Sequence, residues 1–153
     1  GNMSAVKAGK ALTLLIAPAF LMLSSAIAAD HPDFSGSWKL NSTQSKIKDS
    51  KLATECSKLT IEQKETEISL SEADGQAIHC STAGKDCAKK SSKVSFWFNG
   101  PKLVQMEYTG HAGDHVTKRR LSLSPDGKTL QMEVIPISPA GDTSLLAFDK
   151  AQQ

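Results

Sequence analysis

The alternation of apolar and polar residues is the feature that most constrains the fold of this chain. From Cys56 onward, apolar side chains recur at every second position in short runs such as "SKLTIEQ", "TEISLSE", "KVSFWF" and "TLQMEVIPI". A period of two is typical of a β-strand that buries one face. Turn residues separate the runs at short intervals, in "ADG", "NGP", "PDG" and "SPAGD". This arrangement indicates an antiparallel meander.

The number of apolar runs indicates whether the sheet stays open or closes on itself. With residues 37–40 as the first strand, the pattern predicts about nine short strands. An open meander with one apolar face leaves edges that promote aggregation. We therefore expect an all-β fold, an up-and-down meander that closes into a small β-barrel, with a small β-sandwich as the alternative. The segment Asn41–Glu55 matches neither helix nor strand, and we interpret it as a long connection suited to form a flap across a barrel mouth.

Turn chemistry predicts the pairing within the first hairpins. A two-residue turn over 64–65 pairs Ile61 with Ile68. The three-residue turn "ADG", with Gly75 where a positive φ is required, places Cys80 beside Ile68. Both pairings put aliphatic side chains on one inner face.

A second hairpin follows a polar loop over 81–93, whose lysines we interpret as a solvated surface. A loop over 99–101 aligns Phe96 with Val104. The same alignment places Val94 opposite Met106, so that these side chains line the inside of the barrel.

The first 29 residues differ from the rest in composition. Two lysines precede the apolar run "ALTLLIAPAFLML", and the small residues "AIA" follow it. This is the pattern of a secretion signal. The run is short for a membrane span and contains Pro18. We expect residues 1–29 to be removed and residues 30–153 to form one soluble domain, periplasmic or secreted, without stable membrane insertion.

The charge of that domain excludes one class of partner. The leading segment carries two of the 18 basic side chains and no acidic one, which leaves 16 basic against 16 acidic side chains. A nucleic-acid binder needs a basic excess. We therefore expect no nucleic-acid partner.

The three cysteines, Cys56, Cys80 and Cys87, all lie in the predicted domain. An oxidising compartment permits disulfides, and an odd number leaves one thiol unpaired within a monomer. We favour a disulfide between Cys80 and Cys87, which bracket a loop, with Cys56 free on the outer face of its strand. Other pairings stay open, because spacing alone does not determine connectivity.

The stretch "DFSGSWKLN", residues 33–41, carries a resemblance to known proteins. "FSGSWKL" resembles the start of fatty-acid-binding proteins, and the whole stretch is similar to the opening of small secreted bacterial proteins described as lipocalin-like. "SPDGKTL" resembles a late hairpin of that bacterial group. The resemblance implies a calycin-like barrel in which Gly36 allows a close approach and Trp38 closes one end. The arginine and tyrosine that hold a carboxylate near the last strand of fatty-acid-binding proteins are absent, because residues 146–148 read Leu-Ala-Phe.

Arg119 is the most informative polar candidate. It shares a face with Leu121 and Leu123, which predicts a guanidinium inside the barrel. There it can pair with an anionic ligand head or lie against Trp38 as a cation–π partner; alternatively it reaches solvent at the strand end. The candidate ligand-binding residues are Trp38, Phe96, Val104, Met106, Tyr108 and Arg119.

No residue constellation in the sequence indicates a reaction. His111, Asp114 and His115 share a turn, but their spacing does not match that of a metal site, and we predict neither metal nor cofactor. No nucleophile with a nearby base is evident. The leading hypothesis is an exported, non-enzymatic barrel that binds a small apolar or amphipathic molecule. The alternative is a protein-binding module, such as a barrel that inhibits proteases through a free arm over 30–34 or through a loop beside an outward-facing Trp97.

Overall fold

A computed structural model describes residues 31–152, and the predicted secretion signal lies outside them. Ten strands follow one another along these residues, with one short α-helix and two 3-10 turns. The strands are β1 Gly36–Leu40, β2 Lys58–Gln63, β3 Glu67–Ser71, β4 Ala77–Ser81, β5 Cys87–Lys89, β6 Ser92–Asn99, β7 Lys102–Thr109, β8 His115–Leu123, β9 Thr129–Ser138 and β10 Ser144–Lys150. The helix α1 is Lys51–Glu55, and the 3-10 turns are Ser42–Gln44 and His111–Gly113.

The strands form one antiparallel sheet that curls into a nearly closed barrel. Its order is β4-β3-β2-β1-β10-β9-β8-β7-β6-β5, so the first strand pairs with the last and the meander closes there. The predicted up-and-down barrel is confirmed. One strand was missed, because β5 lies within the stretch predicted as a polar loop.

The two edges of the sheet, β4 and β5, are joined by a disulfide. Cys80 on β4 is bonded to Cys87 on β5, with the Cα atoms 5.7 Å apart. Cys80 lies beside Ile68 as the "ADG" turn predicts. Cys56 is the free cysteine, but its predicted outward position is wrong: it caps the C-terminus of α1 and is fully buried in the core. The disulfide thus covalently closes the gap that backbone pairing leaves open.

The end of the barrel where β1 begins is filled by aromatic side chains; we refer to it as the closed end. Trp38 is 1% exposed, and its Nε1 donates to the carbonyl oxygen of Phe34 at 3.0 Å. Phe34 itself is fully buried, and the ring of His31 stacks on Phe98 at 4.1 Å between centroids. Residues 31–34 are therefore packed against the barrel, and the prediction of a free arm is wrong for them.

Gly36 permits the close approach that the sequence predicts. Its φ is +148°, and a Cβ there would lie 3.0 Å from Cε of Lys150 on the neighbouring strand β10. The Nζ of the same lysine lies 5.6 Å from the centroid of the Trp38 ring. The cation over Trp38 is thus Lys150, and not Arg119.

Two predicted strand registers are wrong by different amounts. In the hairpin β2–β3, Ile61 pairs with Leu70 instead of Ile68, a shift of two residues that keeps the same face inward. In the hairpin β6–β7, Asn99 pairs with Lys102, and the turn is the two residues between them. That shift by one residue reverses which face of β7 points inward, because side chains alternate along a strand.

The opposite end of the barrel, which we call the mouth, is covered by the segment 41–57. The prediction of no regular structure is wrong for α1, whose Leu52 is buried in the core. The segment is anchored on both sides: Lys46 pairs with Leu145 of β10, and the Glu55 carbonyl accepts from the Ala73 amide at 3.3 Å. It therefore forms the flap that the sequence predicts. No helix within residues 31–152 has the length and apolar character needed to cross a membrane.

Candidate functional site

Inside the barrel, just beneath α1, five polar side chains replace the apolar ones that fill the closed end. Each continues the inward face of its strand: Glu107 follows Gln105 by two residues, and the other four each lie two residues from an inward-facing apolar or cysteine side chain. We call this set the polar layer. It consists of Glu72 after β3, Lys89 on β5, Gln105 and Glu107 on β7, and Arg119 on β8.

The four charged members of the polar layer are paired with one another. Nη1 of Arg119 donates to Oε1 of Glu72, and these side chains are only 8% and 9% exposed. Nζ of Lys89 lies 3.6 Å from Oε1 of Glu107 and 4.0 Å from Oε2 of Glu72. Two cations thus face two carboxylates, and the layer is formally neutral.

Burial and pairing act in opposite directions on Arg119. Burial disfavours the charged guanidinium and is the largest single effect, but the charge and hydrogen bond of Glu72, together with the nearby Cys56 and Glu107, outweigh it, so the pKa of Arg119 is raised. The guanidinium therefore stays charged, and its charge is already compensated inside the protein.

The thiol of Cys56 lies next to this layer and has low reactivity, because it is buried. Burial raises its pKa from 9.0 to about 11, although the positive charge of Arg119 opposes the shift. A thiol with so high a pKa is neutral near pH 7 and a poor nucleophile. We therefore assign Cys56 to the core and not to any chemistry.

Gln105 is the unusual member of the polar layer. Its side chain is fully buried, yet neither its Nε2 nor its Oε1 has a hydrogen-bond partner among the described residues. Nε of Arg119, directly across the β7–β8 pair from Gln105, is buried without a partner too. A buried polar group without a partner costs about 1–3 kcal/mol. Such groups call for an explanation where they gather at one place in a structure.

A cavity of about 220 Å³ lies at the mouth, between α1 and the polar layer. Leu52 and Glu55 line it from the α1 side, and Glu107 and Arg119 line it from the barrel. Its remaining lining includes Asp49, Thr109, Thr117, Val134, Pro136, Asp142 and Ser144. Four carboxylates thus surround the cavity with one arginine, and that arginine is already paired with Glu72.

A second cavity, of about 230 Å³, lies near the turn between β2 and β3 at the closed end. It is lined by both disulfide cysteines and by side chains such as Ser69 and His79. No buried unpartnered polar side chain of the described residues lines it. The two ends of the barrel therefore differ in chemistry, and the mouth is the better candidate for a binding site.

The sequence-predicted site residues fall into three groups. Arg119 faces inward and lines the mouth cavity, whereas Trp38 and Phe96 are buried in the core cluster. Val104, Met106 and Tyr108 lie on the outer face of β7, because Phe96 pairs with Gln105 and not with Val104. Their predicted place in the barrel lining is wrong, and Tyr108 is 36% exposed.

Four of the five members of the polar layer were missed by the sequence reasoning. Gln105 and Glu107 were assigned to the outer face by the wrong register of the β6–β7 hairpin. Glu72 continues the alternation of Ile68 and Leu70, and this spacing is the sequence signal that points it inward. Lys89 lies in the stretch predicted as a solvated loop.

The predicted turn with His111 and His115 holds no compact ligand set. Nδ1 of His115 lies 3.0 Å from Oδ1 of Asp114, and both side chains are largely exposed. Within residues 31–152, no group of three or more histidine, cysteine or acidic side chains is arranged to bind a metal ion.

Comparison with known proteins identifies the fold. No protein-family model and no curated protein matches the chain. Lipid binding protein 8 from Caenorhabditis elegans has a similar structure, with a TM-score of 0.54 and 13% identity over 77% of this chain and 95% of that one. A mutant of the fluorescent protein UnaG matches with a TM-score of 0.56 and 16% identity over 78% of this chain and 97% of that one. The chain therefore has a calycin-like barrel fold.

Proposed function

We propose that this chain is a non-enzymatic barrel that binds a small amphipathic molecule at its mouth, beneath α1. The observation that carries the proposal is the combination of the 220 Å³ cavity with the buried, unpartnered polar atoms of Gln105 and Arg119. Arg119 lines the cavity and Gln105 lies directly opposite it, just below the cavity lining. A ligand head that enters past Arg119 is placed to supply hydrogen-bond partners to atoms that the described residues leave without any. The similarity in fold to a protein named for lipid binding supports the same class of function.

The size of the cavity limits the ligand. Typical small-molecule pockets measure about 300–1,000 Å³, whereas this one measures about 220 Å³. Leu52 closes the cavity from the α1 side, Leu59 is buried in the core below, and the closed end is filled by Trp38 and Phe34. We therefore propose a ligand with a short apolar part, on the order of ten non-hydrogen atoms, and not a long-chain lipid enclosed along the whole barrel.

Export from the cytoplasm is part of the proposal. The basic and apolar pattern of the first 29 residues supports it, and the Cys80–Cys87 disulfide is of the kind that persists in oxidising compartments. Expression of residues 3–153 in a Gram-negative host, followed by mass spectrometry of the N-terminus, tests this. Cleavage next to Ala28 or Ala29 supports export, whereas an intact N-terminus in the cytoplasmic fraction contradicts it.

Binding itself is tested by native mass spectrometry and calorimetric titration with eight-carbon amphiphiles. The variant Thr117→Phe places a ring in the mouth cavity, since Thr117 is part of its lining. We expect it to weaken binding by about tenfold or more. Thr60→Phe is the matched control, because Thr60 is exposed on the outer face of β2. Failure of every amphiphile to bind the unmodified protein would overturn the proposed function.

A further inference from the structure

We infer that the mouth cavity selects an uncharged hydrogen-bonding head group, such as an amide or an alcohol, and discriminates against a carboxylate. This inference rests on the proposed function and names the chemical class of its ligand. The basis is a difference within the polar layer: its charged side chains are already paired with one another, whereas the amide of Gln105 has no partner among the described residues.

The only arginine among the cavity-lining residues is not available as an anion receptor. Arg119 donates to Glu72, and both side chains are more than nine-tenths buried. A carboxylate that approaches Arg119 has to compete with that of Glu72, which is fixed in place and also near Lys89. The second cation of the layer, Lys89, is held between Glu72 and Glu107.

The surroundings of the cavity oppose an anion as well. Its lining contains the carboxylates of Asp49, Glu55, Glu107 and Asp142. Like charges disfavour the charged form of an incoming acid, most strongly at the half-buried Glu107 and less at the other three carboxylates, which are exposed and screened by solvent. An anionic head group therefore meets four carboxylates and finds no unpaired cation in the described lining.

The groups without partners suit an uncharged head. Gln105 offers two N–H donors and one carbonyl acceptor, all buried, and Arg119 adds one N–H donor at Nε. A primary amide matches both kinds of group, because it donates through nitrogen and accepts through oxygen. Gln105 lies just below the cavity lining, two residues deeper than Glu107 on the inward face of β7 and opposite the cavity-lining Arg119. In this proposal the head group enters past Arg119 to contact Gln105.

Octanamide and octanoate form a matched pair for the test, since they have the same chain and differ only at the head. We expect octanamide, measured by calorimetry at neutral pH, to bind the unmodified protein about tenfold more tightly than octanoate. Octan-1-ol should also bind more tightly than octanoate. Equal binding, or tighter binding of octanoate, overturns this inference and leaves the proposed function intact; no binding of any of the three overturns both.

Two variants test the residues that carry the selectivity. Gln105→Leu removes the unpartnered amide at similar size, so we expect the protein to remain folded and the preference for octanamide to fall by about tenfold. Gln131→Leu is the control, because it makes the same change at an exposed position on the outer face of β9. An unchanged preference in Gln105→Leu contradicts the assignment of Gln105.

Glu72→Gln provides a readout of charge. The substitution keeps a hydrogen-bond acceptor for Arg119 but removes the neutralising charge, so octanoate should bind several-fold more tightly than in the unmodified protein. A general weakening of both ligands would indicate only a loosened structure and would contradict the proposed role of the Arg119–Glu72 pair.

Discussion

Arg119 on β8 and Glu72 after β3 form an ion pair across the inside of the barrel, although 47 residues separate them in the chain. The pair connects strands that lie on different sides of the sheet closure. Through Lys89, which is near Glu72 and Glu107, it also reaches β5 and β7. One buried network thus links the mouth-side ends of four strands.

The stability of this network can be measured by substitution. Glu72→Met should lower the free energy of unfolding by about 3–5 kcal/mol, because it leaves Arg119 buried without its carboxylate. Arg119→Met should cost less, since Lys89 remains 4.0 Å from Glu72. The double variant should recover most of the loss, because apolar side chains replace both charges. Urea unfolding of the four proteins checks this, and additive losses in the double variant would rule out a specific pair.

The disulfide should stabilise the barrel at its gap. Cys80 and Cys87 are seven residues apart, and a loop of that length predicts a loss of about 2–3 kcal/mol upon reduction. Denaturant unfolding with and without dithiothreitol measures the loss, and hydrogen exchange locates it. We expect amide protection to fall most in β4 and β5. The variant with Cys80→Ser and Cys87→Ser is the control and should not respond to the reductant. An equal loss of protection in β9 would contradict a local stabilisation of the two sheet edges by the disulfide.

Cys56 should make stability depend on pH in the alkaline range. Its pKa is raised in the folded protein from 9.0 to about 11, so the folded state holds this proton more tightly than the unfolded state. The contribution is complete below about pH 9 and is lost as the pH rises through about 11, on the order of 2 kcal/mol in all. Comparison with Cys56→Ala isolates this contribution to the free energy of unfolding from every other effect of alkaline pH.

Chemical modification gives an independent check on the same cysteine. Ellman's reagent at pH 8 should react with Cys56 only after unfolding, because the thiol is fully buried. Rapid reaction of the folded protein would show that the segment covering the mouth opens readily.

Trp38 should matter for stability and little for ligand affinity. It is 1% exposed at the closed end, and truncation of a buried tryptophan costs about 3–5 kcal/mol. We expect Trp38→Ala to lose that amount and Trp97→Ala, which changes a half-buried side chain on the outer face, to lose less than half of it. In Trp38→Phe, which should remain folded, the affinity for octanamide should stay within about twofold. A large loss of octanamide affinity in Trp38→Phe would show that Trp38 takes part in binding.

Local sequence patterns were sufficient for the fold and for part of the pairing. The "ADG" turn fixed the register of β3 and β4, because Gly75 with its φ of +78° leaves little choice of turn. The same pattern placed Cys80 where it meets Cys87. Of the two alternatives for Arg119, inside the barrel or in solvent at the strand end, the structure has the first, because Arg119 shares a face with the fully buried Leu121.

The composition of the site could not be read from local patterns, for a physical reason. If the more apolar face of β7 pointed inward, Val104, Met106 and Tyr108 would line the barrel. Instead Gln105 and Glu107 face inward. Glu107 is compensated by Lys89, a residue on another strand. Val104 remains 1% exposed on the outer face, where Trp97 and Arg120 are its direct neighbours. The ion pair that compensates the charge of Glu107 and the side chains that cover Val104 both come from other strands. The sequence of β7 alone therefore cannot reveal which face points inward.

Binding of an uncharged head group at Gln105 can be observed directly in a ¹H–¹⁵N NMR titration of the unmodified protein with octanamide. We expect the side-chain amide signals of Gln105 to shift, together with the backbone amides of Leu52 and Thr117 at the mouth cavity. Signals of Ser69 and His79, which line the cavity at the closed end, should not move. Shifts confined to Ser69 and His79, or no shift at Gln105 while octanamide binds, would contradict binding of the head group at Gln105.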